Sequence, residues 1–138
     1  MKSERFIVMV LATLAVALGV AGCNRDTLVL TIRSPQDLNA GRPVRMLVRA
    51  VDQQEYVNES YVAVADKVVV KDDSVLYSAV VYPQLPLMVS VKKGEKSIGV
   101  YFFFTQPGSR WKTLLEMPLP HVTEIRLSTS NIDSVKQH

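Results

Sequence analysis

Residues 97–105 read Ser-Ile-Gly-Val-Tyr-Phe-Phe-Phe-Thr. Successive side chains of an extended chain point to opposite faces. The uninterrupted apolar run Tyr101, Phe102, Phe103, Phe104 therefore predicts a central strand buried on both sides. Turn formers bracket it, with Lys93-Gly94-Glu95-Lys96 before and Pro107-Gly108 after. Working outward, Thr27–Arg33 alternates Leu28, Leu30 and Ile32 on one face, the period-2 pattern of a half-buried strand. Residues 34–43 (SPQDLNAGRP) are dense in turn formers and read as a loop. Residues 44–51 form a second strand, with Arg45 and Arg49 on one face against Met46, Val48 and Ala50 on the other.

Residues 52–66 break the alternation. Tyr56, Tyr61 and Val64 fall at i, i+5 and i+8, which fits one or two helical turns packed on a sheet. Residues 67–70 read as a short strand and Asp72-Asp73 as a turn. Strands follow at 75–82 and 86–92, separated by Pro83 and Pro86, then at 111–117 and 122–128, with a last edge strand at 131–135. Seven or eight short strands at regular spacing, with one short added helix, predict a mainly β protein, an antiparallel β-sandwich. Trp111 stands beside the most buried strand and reads as core.

Composition narrows the function. A chain of 138 residues holds one modest domain, and 48% apolar residues are too many for disorder. One cysteine excludes a disulfide framework and any zinc site that needs two thiolates. The net charge of +3 is spread along the chain without a basic block, which argues against a nucleic-acid partner. Glycine-rich phosphate loops, nucleophile elbows and zinc-protease motifs are missing from the sequence. Asp72 and Asp73 are adjacent and point apart in extended chain. Asp52, Glu55 and Glu59 read as a solvated helix face, because like charges at i, i+4 repel. His121 reads as an exposed loop histidine. No catalytic or metal-binding residue is assigned, the protein is read as not an enzyme, and no cofactor is expected beyond a covalent lipid.

That lipid follows from the leader. Lys2 and Arg5 precede an apolar run over residues 6–20, and Ala21-Gly22 are small, as in a secretory signal peptide. Val20-Ala21-Gly22-Cys23 resembles the bacterial lipobox. The resemblance implies cleavage before Cys23, a diacylglycerol on its sulfur and an acyl chain such as palmitate on its amine. Several acyl chains anchor a protein stably where one is marginal. Asn24 follows the cysteine where an Asp would hold the protein at the inner membrane, so the expected location is the outer membrane, facing the periplasm. Residues 24–27 span at most about 14 Å. The organisation is then a signal peptide at 1–22, a lipidated tether at 23–27 and a sandwich domain at 28–138.

Several features in order resemble the outer-membrane lipoprotein of the type VI secretion system, the TssJ family. They are the lipobox, Asp37-Leu38-Asn39 with Gly41-Arg42-Pro43, and the strand Val44-Arg45-Met46-Leu47-Val48-Arg49-Ala50. Next come the Tyr56/Tyr61/Val64 spacing, Gly99-Val100-Tyr101-Phe102-Phe103-Phe104, and Trp111-Lys112. The chain departs from the family at Ala50, at Lys112 and over residues 66–86, as a divergent member. The resemblance implies a transthyretin-like sandwich that docks the periplasmic domain of the large inner-membrane subunit, TssM, through the loop at 34–43. Asp37, Asn39 and Arg42 are the expected contact residues. Plain turn chemistry explains Gly41-Arg42-Pro43 as well. Two other readings stay open: a lipoprotein that binds a small ligand or glycan through Tyr101–Trp111 aromatics, and an assembly lipoprotein of another envelope machine. Cys23→Ala is expected to abolish incorporation of labelled fatty acid while leaving the circular dichroism of the domain unchanged.

Overall fold

The computed structural model describes residues 26–138. The expected signal peptide, the expected lipidation site Cys23, and Asn24 lie outside the described residues. Eight strands occur in the order β1 (Thr27–Arg33), β2 (Val44–Ala50), β3 (Val75–Val81), β4 (Leu87–Lys92), β5 (Ile98–Phe103), β6 (Lys112–Leu115), β7 (Val122–Leu127) and β8 (Ile132–Gln137). Two helices, α1 (Gln53–Asn58) and α2 (Tyr61–Val69), lie between β2 and β3. The strands form two four-stranded sheets, ordered β4-β1-β7-β8 and β3-β2-β5-β6. The expected mainly β sandwich is the fold observed. Its pairing is not wholly antiparallel, however, because β1 runs parallel to β7, with Val29 opposite Val122. Alternation places side chains on a face but carries no information about a neighbour's direction.

The space between the sheets is filled by the alternating residues. Leu28, Leu30 and Ile32 of β1 meet Met46 and Val48 of β2 and Val100 and Phe102 of β5, all buried. As expected, β5 is central and covered on both sides. Its second face, with Tyr101 and Phe103, turns away from the sandwich core towards the helices.

A second apolar layer explains the helices. Leu47, Val64 and Tyr101 are buried together, with Tyr56, Val68, Val75, Phe103 and Trp111 packed around them. Trp111 meets Tyr61 edge-on at 5.0 Å and Tyr101 at 5.9 Å, so the aromatic run is packing, as the core reading of Trp111 required. The helical residues expected to face the sheet do so. The segment is nonetheless two helices, because Ser60 restarts it as an N-cap and accepts a hydrogen bond from the Ala63 amide at 3.2 Å. Residues 67–69, expected as strand, continue α2. Val64 and Val68 lie one turn apart on the buried stripe, and that packing overrides the β preference of valine.

Arg49 fastens this layer to the sheet. Its side chain is 1% exposed. Nη2 donates to Glu55 Oε1 at 2.9 Å, Nε donates to Ser74 Oγ at 3.1 Å, and Nη1 pairs with Glu59 Oε1. The Tyr101 hydroxyl donates to Glu59 Oε2 at 2.6 Å. Thus Glu59, at 9% exposure, is not on a solvated face, whereas Asp52 and Glu55 are exposed as expected and Glu55 meets Arg49 from the surface. The Arg49 guanidinium sits between Glu55 and Glu59 and removes the repulsion that would set them apart. Gly99 stands opposite Arg49 in the register, and a Cβ there would lie 2.6 Å from the Tyr101 hydroxyl. The missing side chain gives Tyr101 room to reach Glu59. Lys112 completes the cluster, donating to the Tyr56 carbonyl and lying 4.1 Å from the Tyr56 ring centroid.

Burial holds the Tyr101 hydroxyl well above its ordinary pKa of 10.0, against the opposing pull of Arg49. The folded chain keeps that proton at alkaline pH where the unfolded chain loses it, so unfolding releases a proton and stability falls as pH rises past 10.0. Tyr101→Phe is expected to make that fall shallower. At pH 7 it should cost about 1–3 kcal/mol through the lost hydrogen bond to a carboxylate. Urea unfolding of both proteins across the alkaline range checks both outcomes.

Candidate functional site

Strand direction gathers four connections at the end of the sandwich away from Asp26, the distal end. They are the β1–β2 loop (34–43), the β3–β4 loop (82–86), the β5–β6 loop (104–111) and the β7–β8 turn (128–131). The opposite end holds Asp26, whose carbonyl accepts from the Lys93 amide at 2.7 Å.

The β1–β2 loop is a fixed object. Leu38, its one large apolar residue, is fully buried in the sandwich core. Leu38–Gly41 forms a short 3-10 turn in which Asn39 (φ 49°), Ala40 (φ 57°) and Gly41 (φ 81°) are all left-handed. Only glycine adopts that region without steric cost, so Asn39 and Ala40 are held there by their surroundings. Asn39 supplies the hold. It is 92% buried, at 8% exposure. Its Nδ2 donates to the Pro43 carbonyl at 3.2 Å, its Oδ1 accepts from the Thr105 amide at 2.9 Å, and its own amide donates to the Thr129 carbonyl at 2.7 Å. Through its side chain and its backbone amide, this one residue ties three of the four distal segments together. Asp37 adds a tie at the surface, where Thr129 Oγ1 donates to its carboxylate at 2.7 Å.

Of the three expected contact residues, the structure leaves Arg42 exposed and without an ion pair among the described residues. Asp37 is exposed but engaged by Thr129. Asn39 faces inward, and its part is to shape the loop. Arg42 borders a cleft of about 240 Å³ with Asn39, Ala40, Thr105, Gln106, Thr129 and Ser130. Sequence reading missed Thr105, Gln106, Thr129 and Ser130. They look like ordinary turn residues, and only the lone Leu38 in a polar loop signalled that this loop folds back onto its neighbours. His121 is exposed, as expected, at the other end. Among the described residues no cluster of His, Cys, Asp or Glu could hold a metal ion. No helix among them is long and apolar enough to cross a membrane.

The cleft is lined by hydroxyl, amide and guanidinium groups, which can donate and accept hydrogen bonds. Comparison with known proteins then decides the family. The family model for the IglE N-terminal domain matches residues 45–127, from β2 to the end of β7. The chain belongs to the IglE N-terminal domain family. Among curated proteins none matches it. Several solved structures share its fold. Serratia marcescens Lip, a membrane-bound component of the type VI secretion system, superposes with a TM-score of 0.64 at 18% identity, over 81% of this chain and 99% of Lip. The type VI lipoprotein TssJ1 from Pseudomonas aeruginosa gives 0.61 at 12% identity, over 81% and 95%. A structure described as the TssM C-terminal domain from EAEC gives 0.67 at 18% identity, over 81% and 98%. The TssJ-like sandwich expected from the residues is therefore the fold of this IglE-family chain.

Asn39→Ala removes two side-chain hydrogen bonds and leaves the Thr105 amide without its acceptor. It is expected to cost about 2–4 kcal/mol, whereas Arg42→Ala stays within about 0.5 kcal/mol of wild type. Denaturant unfolding of the two variants checks the contrast.

Proposed function

We propose that this IglE-family protein is a non-enzymatic, lipid-anchored docking subunit of a type VI secretion envelope complex. In this reading Cys23 carries the lipid and holds the domain at the outer membrane in the periplasm. The distal end then binds the periplasmic domain of a TssM-like inner-membrane subunit. The observation that carries the reading is the β1–β2 loop. It is locked in a left-handed turn, pinned to two neighbouring connections, and displayed at the end opposite residue 26. A loop that only joined two strands has no need of such strain, and functional contacts concentrate on loops held by a rigid scaffold. With a short tether, the end bearing residue 26 faces the bilayer and the distal end faces the periplasm.

The solved relatives support the same role. They include type VI lipoproteins and a structure described as a type VI membrane complex, which covers 82% of this chain at a TM-score of 0.62. Asp37 and Arg42 are the contact residues in this reading, and Asn39 sets their positions. Of the aromatic residues that would serve a glycan-binding face, Tyr101, Phe103 and Trp111 pack in the helical layer and Phe102 and Phe104 lie in the core between the sheets.

The test is calorimetric binding of the domain to the periplasmic domain of the TssM-like subunit from the same genome. Asp37→Ala/Arg42→Ala is expected to weaken affinity at least about tenfold, with thermal melting within about 2 °C of wild type. Unchanged affinity with unchanged melting moves the contact away from this loop.

A further inference from the structure

The basic side chains are sorted by type and by end. Six arginines lie among the described residues, and one of them, Arg49, is buried under the helices. The other five stand at the distal end. Arg33 closes β1 and pairs in register with Arg126 of β7. Arg45 lies opposite Phe103 at the end of β5. Arg42 belongs to the β1–β2 loop and Arg110 to the β5–β6 loop. Among the described lysines, Lys92, Lys93 and Lys96 are beside Asp26 at the other end, Lys67 and Lys71 are on α2 or just after it, Lys136 is on β8, and Lys112, which opens β6 next to the distal β5–β6 loop, is turned under the helices.

Three of the five distal arginines are already engaged. Arg33 and Arg126 share Glu124 Oε1 at 3.7 Å and 2.9 Å, and Arg110 Nη1 donates to the Asp133 carbonyl at 3.2 Å. Arg42 and Arg45 are exposed and form no ion pair among the described residues. They are three positions apart, one on the locked loop and one at the start of a central strand. Asp37 forms no ion pair with either of them. General solubility needs positive charge of either type. A planar guanidinium differs from an ammonium in pairing bidentately with a carboxylate and in being weakly hydrated, which suits a contact surface.

We propose that the distal end recognises carboxylate side chains on an acidic protein segment. Arg42 and Arg45 are the two forks, and Thr105, Gln106, Thr129 and Ser130 offer hydrogen bonds to the segment that lies across the cleft. This rests on the docking role proposed above and specifies its chemistry. It also adds Arg45, outside the loop, to the contact.

The experiment uses the domain from residue 26 onward, whose two sheets and helical layer are complete within it, against the periplasmic domain of the TssM-like subunit. Arg42→Lys/Arg45→Lys keeps both charges and removes both forks. It is expected to raise Kd about tenfold or more, and Arg42→Ala/Arg45→Ala about a hundredfold, with melting unchanged and with wild-type Kd rising with salt. Wild-type affinity in the lysine double variant overturns the fork, whatever the alanine variant does, and leaves the docking role standing. Wild-type affinity in both double variants moves the contact off these arginines. Failure of the wild-type domain to bind overturns the docking role and the carboxylate chemistry together.

Discussion

A guanidinium with 1% of its side chain exposed is the constraint on which the outer half of this protein is built. Removing such a charge from water costs several kcal/mol unless its donors are all met. Here each of its three nitrogens faces a partner: Glu55 on α1 and Ser74 just before β3 accept hydrogen bonds, and Glu59 between the helices pairs with Nη1. The acceptors come from chain segments up to 25 residues away, so Arg49 cannot be satisfied until the helices are laid on the sheet. The same closure covers Leu47 and Tyr101, which would otherwise face water on the outside of a central pair of strands. Charge pairing and apolar burial therefore favour the same arrangement, and neither is complete alone.

The outer layer also determines what the sandwich can present. With one face of the β3-β2-β5-β6 sheet occupied by helices and the inner faces occupied by core, the free surfaces are the ends and the outer face of the β4-β1-β7-β8 sheet. The distal end differs from the other end in being cross-tied. Asn39 reaches residues 66 positions further along the chain, and Asp37 reaches 92 positions further. Three of the four connections consequently behave as one surface.

Much of this was legible in the chain. Thr27–Arg33 alternates so regularly that strand and inward face follow together, and the Tyr101 run announces a strand with two covered sides. The helical stripe of Tyr56, Tyr61 and Val64 was readable from spacing. What could not be read was whatever depended on a partner distant in sequence. Arg49 falls on the polar side of an alternating strand, and alternation alone assigns that side to water. Glu55 and Glu59 repel when considered by themselves, and become favourable only with a guanidinium between them. Strand direction in the β1–β7 pair leaves no trace in side-chain period. In the candidate site, Arg42 and Asp37 stood out as charged groups in a turn-rich loop. The inward role of Asn39 rests on Thr105 and Thr129, which nothing nearby in sequence points to.

The left-handed run through Asn39, Ala40 and Gly41 has a consequence for the thermodynamics of contact. A flexible loop of ten residues gives up conformational entropy when it is gripped, and that loss subtracts from affinity. This loop has surrendered most of its freedom during folding, when Leu38 entered the core and Asn39 closed its hydrogen bonds. Whatever docks there meets a rigid template, so association at this end proceeds with little rearrangement and differences in partner affinity reside chiefly in how long the complex lasts.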